Sequence, residues 1–520
     1  MNPGPRAPEA RSLARLAHGP RRTRCRPGRL KPYPLFGRLT DSIIISHAST
    51  RLVMGMYEEL VELALSEAER LGADYADVRA QVVRRELISV ENMVLRSYES
   101  SEVLGIGVRV LISGAWGLAS TTRPEREAVR ETVSRAVGIA RSSAKRCRGV
   151  RLAEVKVVER AFRSPCKVKP VDVAPEEKIG LLMDINKASL AQEGVKSASA
   201  RMGLIEEHVV FASTEGARLT LDRTMVGMMY SSVAEHEGRM ERAWDGRSAC
   251  AGWEFMESVD WLEEAEDISR LALETAKAEN PPSGAYPVVI DGRLIGLLIH
   301  EAFGHATEGD LVASGDSVLR GRLGQALASE QISIVDEGVV PDGIYMPFDD
   351  EGVLKGRTVV VEQGVLKTFL TSRESAERLG LEPTGNGRAQ DFASFPIVRQ
   401  TNYYVQPGDH TLEELVDDVE FGFLLHGRSR RGGQVETGMG TFTFRAGPSH
   451  VIRKGEVAEL VRGVAISGDI LDVLKRVEAV GREVEIRTSI FGGCGKYGQT
   501  VRVGLGGPPV RISRMVIGGV

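Results

Sequence analysis

LLIHEAFGHATEGD, residues Leu297 to Asp310, places His300, Glu301 and His305 on one short helix. In the common metal-binding helix, H-E-x-x-H, the histidines stand four apart and both imidazoles leave one face with the glutamate. Here the spacing is five. At about 100° per residue, His300 and His305 lie about 140° apart on a regular α-helix, against about 40° for the four-residue spacing. A straight helix cannot aim both at one ion. Gly304, directly before the second histidine, permits a one-residue bulge or an early helix end, and either swings His305 round beside His300.

The upstream stretch YPVVIDGRLIGLLI, Tyr286 to Ile299, is nearly all apolar. It places the motif in a dry interior, where Glu301 has a raised pKa and acts as a base. Glu308 and Asp310 follow within a few residues, and buried carboxylates without partners are costly. A metal ion removes that cost. A hydrolytic site then needs a third protein ligand and an open position for water. SIFGGCGKYGQ, Ser489 to Gln499, offers Cys494 among Gly492, Gly493 and Gly495, where bare backbone lets another segment come close. His300, His305 and Cys494 would leave the fourth position of a zinc ion free. The bland alternative is a core helix with hydrogen-bonded histidines and a small buried cysteine.

Further out, the chain reads as α+β in two parts. Residues 56–215 form an N-terminal α+β domain: a helix from Met56, a meander of alternating polarity over 77–121, and helices over 123–146 and 174–194. Residues 216–520 form a C-terminal domain. It opens with strands and the helix of 261–280, is punctuated by Pro281 and Pro282, and is mostly β around the motif helix, with helices at Ala376–Leu379 and Leu412–Glu420. Residues 1–55 are a disordered leader or a misassigned start, with Met54 or Met56 as the true beginning.

Composition narrows the function. With 42% apolar residues over 520 positions, the chain supports full-sized cores. Residues 1–53 carry 11 Lys+Arg against 2 acids (+9), which leaves 56 against 69 (−13) for the rest. An acidic body argues against nucleic acid as a partner. No stretch approaches the roughly 18 apolar residues of a membrane span. Five cysteines, odd in number and without paired spacing, fit a reducing cytoplasm.

Five segments in order, HEAFGHATEGD, GRAQDFASFPIVRQTN, VQPGD, GGQVETGMGTFTF and CGKYGQ, resemble the TldD/PmbA family of metallopeptidases on its active, TldD side. The similarity runs from about Met56 to the C-terminus. It implies a cytoplasmic protease acting on unfolded polypeptides and peptides, with one Zn2+ per chain on His300, His305 and Cys494 and Glu301 as the catalytic glutamate. It also implies a dimer, either of two copies or with a sister subunit lacking the metal motif. Glu308 and Asp310 are then candidates to orient the imidazoles, and Tyr497, Lys496 and His450 to stabilise the oxyanion.

Other readings are a dipeptidyl-peptidase III-like HExxGH exopeptidase, whose third ligand is Glu308 or Glu330, a deformylase-like enzyme, and a non-catalytic peptide-binding subunit. Substrate capture is expected at RGGQVETGMGTFTFRAG, Arg431 to Gly447: Gln434, Thr441, Phe442, Thr443 and Phe444 make an exposed strand to which an extended peptide adds.

Overall fold

The computed structural model describes residues 47–146, 149–436 and 439–519, with backbone alone for 47–54. The leader therefore lies outside the described residues up to position 46. Gly55–Val520 is one compact unit. The first helix, α1 (His47–Arg70), starts upstream of Met56 and ends just before Gly72, whose φ of +79° suits a residue without Cβ.

The expected meander is present as β1 (Tyr75–Glu91), β2 (Val94–Ile112) and β3 (Ala115–Thr121), all antiparallel. Asn92-Met93 and Ser113-Gly114 make two-residue turns with positive φ at both positions, the hairpin geometry whose twist matches the strands. Then come α2 (Arg126–Ala144), β4 (Glu159–Arg163), α3 (Pro175–Leu190), β5 (Val195–Ser213), β6 (Arg218–His236), β7 (Arg239–Ala249), α4 (Glu254–Ser258) and α5 (Trp261–Lys277). The sheet order is β3-β2-β1-β5-β6-β4, with β7 on β6. The division at residues 215/216 thus falls in the turn between two paired strands of one sheet. The sheet and α5, which packs on it, continue well past that point.

Alternation decides what each face meets. Even-numbered residues such as Val78, Ile88, Met202 and Met228 pack under α1, α2, α3 and α5. The odd-numbered face carries Val83, Ile205, Phe211 and Leu221 against Ile344, Ile490 and Phe348 of the C-terminal part. Among these apolar contacts lies a buried ion triad, with Arg109 bonded to Asp77 at 2.6 Å and to Glu351 at 3.0 Å.

Among the described residues, the C-terminal part holds two large sheets and two short two-stranded ones. The larger runs Gly433–Glu436, Thr441–Arg445, Val464–Asp469, Val510–Gly519, β8 (Gly284–Ile290), Phe421–Leu425, Ser449–Arg453 and Glu456–Val461. The smaller includes Ile334–Glu337, Asn402–Val405, Gly504–Gly507 and Glu485–Thr488. Between them lies α6 (Gly292–Ile299), whose Leu294, Ile295, Leu298 and Ile299 are fully buried. At about 1.5–3 kcal/mol for each such side chain, this packing fixes the helix in place. The helix sits unusually close to its neighbour: a Cβ on Gly296 would stand 2.3 Å from the Gly506 nitrogen. The helices expected near 376 and 412 are Arg373–Leu379 and Leu412–Asp417. Ile470–Lys475, capped by the Asp469 side chain, was not expected, because six residues are too few to show a helical period.

Candidate metal centre

Asp291 starts α6 by accepting the Leu294 N–H at 2.8 Å. The helix then widens into a π turn, His300–Gly304, in which the His305 N–H donates to the His300 carbonyl. A 3-10 turn, His305–Thr307, ends the run. Each π turn inserts a residue into the helical register, so the second histidine is carried round towards the first. The two imidazole centroids are 5.1 Å apart. Cys494 Sγ lies 3.0 Å from His305 Nε2, and one ligand atom from each of His300, His305 and Cys494 falls within 4.8 Å of the others. All three residues are buried.

The expected bulge is present, but Gly304 serves it differently from the expectation. Its φ and ψ, −60° and −46°, are ordinary helical values open to any residue. What it lacks is bulk: a Cβ there would lie 2.3 Å from Gln400 Oε1. Gln400 in turn donates through Nε2 to the His300 carbonyl at 3.1 Å. The widened turn is thus held from outside by a buried amide.

A charged relay lies behind His305. Its Nδ1 is 3.1 Å from Glu308 Oε2, which accepts from Lys496 Nζ at 2.8 Å. Lys496 also binds both Asp310 oxygens, at 2.7 and 2.8 Å, and the Val398 carbonyl at 3.0 Å. Burial opposes ionisation of Glu308, but His305 and Lys496 hold it down to about 2. Burial likewise opposes the Cys494 thiolate, yet hydrogen bonds from His300 and His305 bring it down to about 5. Against its own burial, His305 is raised to about 10 by Glu308 and Cys494. The cluster therefore attracts positive charge at this point, as a proton or as a metal ion. Two imidazoles and a thiolate suit zinc, with Glu308 fixing the far nitrogen of one ligand.

The cysteine comes from a hairpin, Cys494–Lys496 with Gln499–Val501, turned by Tyr497 and Gly498 at φ of 50° and 77°. Buried arginines hold it. Arg399 donates to the Cys494 carbonyl, and Arg388 to the Arg502 carbonyl at 2.7 Å. Gln390 and Gln499 close the same contact, with Gln390 N–H on Gln499 Oε1 at 3.1 Å. Arg388, Gln390 and Arg399 belong to GRAQDFASFPIVRQTN, whose role in holding the hairpin no local pattern in the sequence indicates. The available signal was Arg388 and Arg399 themselves, set among small and apolar residues and the amides Gln390 and Gln400.

Several expectations need correction. Glu301 does not sit in a dry interior: its side chain is 36% exposed, with Oε2 3.8 Å from His305 Nε2. Lys496 is fully engaged with carboxylates and is not poised for an oxyanion. Tyr497 stands exposed at the hairpin tip. His450 bonds His426 at 3.1 Å, and His426 faces Asp291, at the opposite end of α6 from His300. Thr441–Arg445 is not an open edge, because it is paired on both sides. Phe442 and Phe444 point into the core, while Thr441 and Thr443 are exposed. Among the described residues the free edge belongs to the neighbouring strand Gly433–Glu436, which carries Gln434 and lies against the π turn.

The chain matches three successive domains described as PmbA/TldA metallopeptidase: domain 1 over residues 76–140, the central domain over 168–279 and the C-terminal domain over 283–519. This division keeps β5 to β7 together, as the sheet does. It is 37% identical to a metalloprotease of Methanothermobacter thermautotrophicus, over 86% of this chain and 96% of the relative. It is 28% identical to a zinc metalloprotease TldD homolog of Saccharolobus solfataricus, over 88% and 99%. Among solved structures, the fold resembles a putative modulator of DNA gyrase from Thermotoga maritima, at TM-score 0.73 and 22% identity over 89% of this chain and all of that one. It also resembles TldE from Thermococcus kodakarensis, at TM-score 0.70 and 20% identity over 89% and 100%. The chain belongs to the PmbA/TldA, or TldD/PmbA, metallopeptidase family.

Proposed function

We propose that this protein is a zinc-dependent metalloprotease that hydrolyses peptide bonds of unfolded polypeptides and peptides. The observation that carries the reading is the π turn, which brings two histidines of unfavourable spacing together with Cys494. A zinc ion held by His300, His305 and Cys494 would supply a Lewis acid for the scissile carbonyl and make an attacking water easier to deprotonate. Glu301, beside His305 and open to solvent, takes the proton of that water and returns it to the leaving amine. Glu308 orients His305 through Nδ1, and Lys496 keeps Glu308 ionised. That bond engages the imidazole nitrogen remote from Cys494, which speaks for Cys494 over Glu308 as third ligand; Glu330, the other candidate ligand of a dipeptidyl-peptidase III-like arrangement, is outside the His300, His305 and Cys494 cluster among the described residues.

A protease for unfolded chains must grip what all peptides share, the backbone. The free edge of Gly433–Glu436, next to the π turn, offers such a grip by strand addition. An open edge invites unwanted pairing, so we place the active form in a dimer that encloses it, as two copies or with a TldE-like sister. The expected setting is the cytoplasm. Among the described residues no helix is long and apolar enough to cross a membrane.

The test is a matched pair of variants in the full chain, with zinc content and hydrolysis of casein measured on each. Glu301→Gln should retain zinc and lose hydrolysis, whereas Cys494→Ala should lose both. Hydrolysis by Glu301→Gln at near the parental rate removes Glu301 as base. Full zinc in Cys494→Ala removes the ligand set.

A further inference from the structure

Beside the second strand of the Cys494 hairpin lies another polar site. The odd-numbered face of the N-terminal sheet does not close completely on the C-terminal part. It leaves a cavity of about 70 Å³ that reaches Thr500 and Val501. Five arginines line it: Arg79, Arg85, Arg223, Arg388 and Arg502. Two of them are neutralised by direct pairs, Arg79 with Asp350 at 3.3 Å and Arg223 with Glu207. Arg388 donates Nη1 and Nη2 to the Gln400 and Arg502 carbonyls, which leaves its Nε, and among the described residues it has no carboxylate within salt-bridge distance. Arg85 and Arg502 have no side-chain hydrogen bond or ion pair among the described residues. The Nε atoms of Arg388 and Arg502 are buried without an acceptor.

Two further carboxylates line the cavity, Asp349 and Asp391. Asp349 already accepts the Gly387, Glu351 and Val353 amides, and burial with Glu351 nearby raises its pKa well above the usual range. Asp391 caps its own turn through the Ala393 amide and the Ser394 hydroxyl. Neither neutralises the spare arginines. A buried unsatisfied guanidinium N–H is costly, and the same fork is the preferred partner of planar or tetrahedral oxyanions.

We propose that this cavity is a binding site for a small oxyanion, a phosphate or a carboxylate, held by Arg502 and Arg388 with Arg85 at its mouth. The room suffices, since a water needs roughly 10–15 Å³ on the same kind of measure. Burial, with Arg223 and Arg399 close by, outweighs the opposing charge of Asp350 and pulls Arg388 down to about 10, a condition that a bound anion relieves. The site touches the metal centre through the chain: Val501 pairs with Cys494 across the hairpin, and the Arg502 carbonyl is one anchor of that hairpin. An anion here braces the segment that carries the cysteine.

The experiment uses the full chain stripped of metal, at constant chloride-balanced ionic strength. Inorganic phosphate, acetate and N-acetyl-dialanine are titrated separately, with melting temperature and calorimetric binding as readouts. At least one anion should bind saturably and raise the melting temperature by about 3 °C at a hundredfold excess over Kd. Arg502→Met should weaken that anion roughly tenfold or more, as expected for the loss of a charge-assisted bond. Phosphate also stabilises proteins non-specifically by exclusion, and the variant keeps that component. If Arg502→Met fails to fold, Arg85→Ala, at an exposed position, should still weaken the anion several-fold. The stronger ligand identifies the source, a phosphate compound or a peptide carboxylate. Non-saturating responses to all three anions, or identical saturable responses in parent and both variants, overturn the proposal. Because no metal and no substrate are present, this outcome is independent of the proteolytic reading.

Discussion

Replacing Gly304 by alanine tests whether the metal turn depends on space or on backbone freedom. The backbone at this residue is helical, so alanine fits its φ and ψ and would by propensity favour the helix. The added Cβ, however, would meet Gln400 at 2.3 Å from Oε1, 2.6 Å from Cδ and 2.7 Å from Nε2. Gln400 is 1% exposed and has no room to swing out. Overpacking of this kind costs about 1–3 kcal/mol, and loss of the bond to the His300 carbonyl adds about 0.5–1.5 kcal/mol. Gly304→Ala should therefore lose roughly 2–4 kcal/mol of stability in urea unfolding of the metal-free protein. It should also weaken zinc, read by competition with a chromophoric chelator, because the π turn is disturbed. In Gly304→Ala/Gln400→Ala the clash is gone, so the double variant should be no less stable than Gln400→Ala alone. A coupling of about 2 kcal/mol or more between the two sites is the expected signature. Additive costs, or a harmless single substitution, would refute the steric account of the glycine.

Lys496→Met removes the cation that Glu308 and Asp310 share and should cost about 3–5 kcal/mol, with zinc bound 10- to 100-fold more weakly. Unchanged zinc affinity would make Lys496 a purely structural residue. A peptide substrate N-methylated at two alternate amides should lose roughly 30-fold in kcat/KM, at about 1 kcal/mol for each backbone bond lost to the Gly433–Glu436 edge. Equal cleavage of methylated and parent peptides would exclude strand addition. Asp245 is held below the usual carboxylate range, because Arg293 and Arg428 outweigh its burial. Its contribution is complete above the unfolded aspartate value near 3.9 and is lost as pH falls through the lower folded value. In urea unfolding between pH 2 and 6, the stability gap between the parent and Asp245→Asn should narrow as pH falls; a constant gap would be the contrary result.

The sequence determined the local elements and the ligand types of the candidate metal centre. Alternating polarity set the meander, apolar spacing set the long helices, and the uncommon H-E-x-x-x-H spacing called for an irregular helix if both histidines were to meet one ion. These signals are readable because each lies within a few residues along the chain. Contacts between distant segments decided the rest. Thr441–Arg445 alternates like an edge strand, yet Val464–Asp469 occupies its second side and leaves the free edge to Gly433–Glu436. Gly304 is adjacent to His305, but its reason is Gln400, almost a hundred positions away. Glu308 and Asp310 looked like unpaired buried acids until the hairpin delivered Lys496. The polar face of β1, with Asp77, Arg79 and Gln81, alternates as a solvent face would. It is covered instead by the C-terminal part, because alternation reports which residues share a face and not what that face meets.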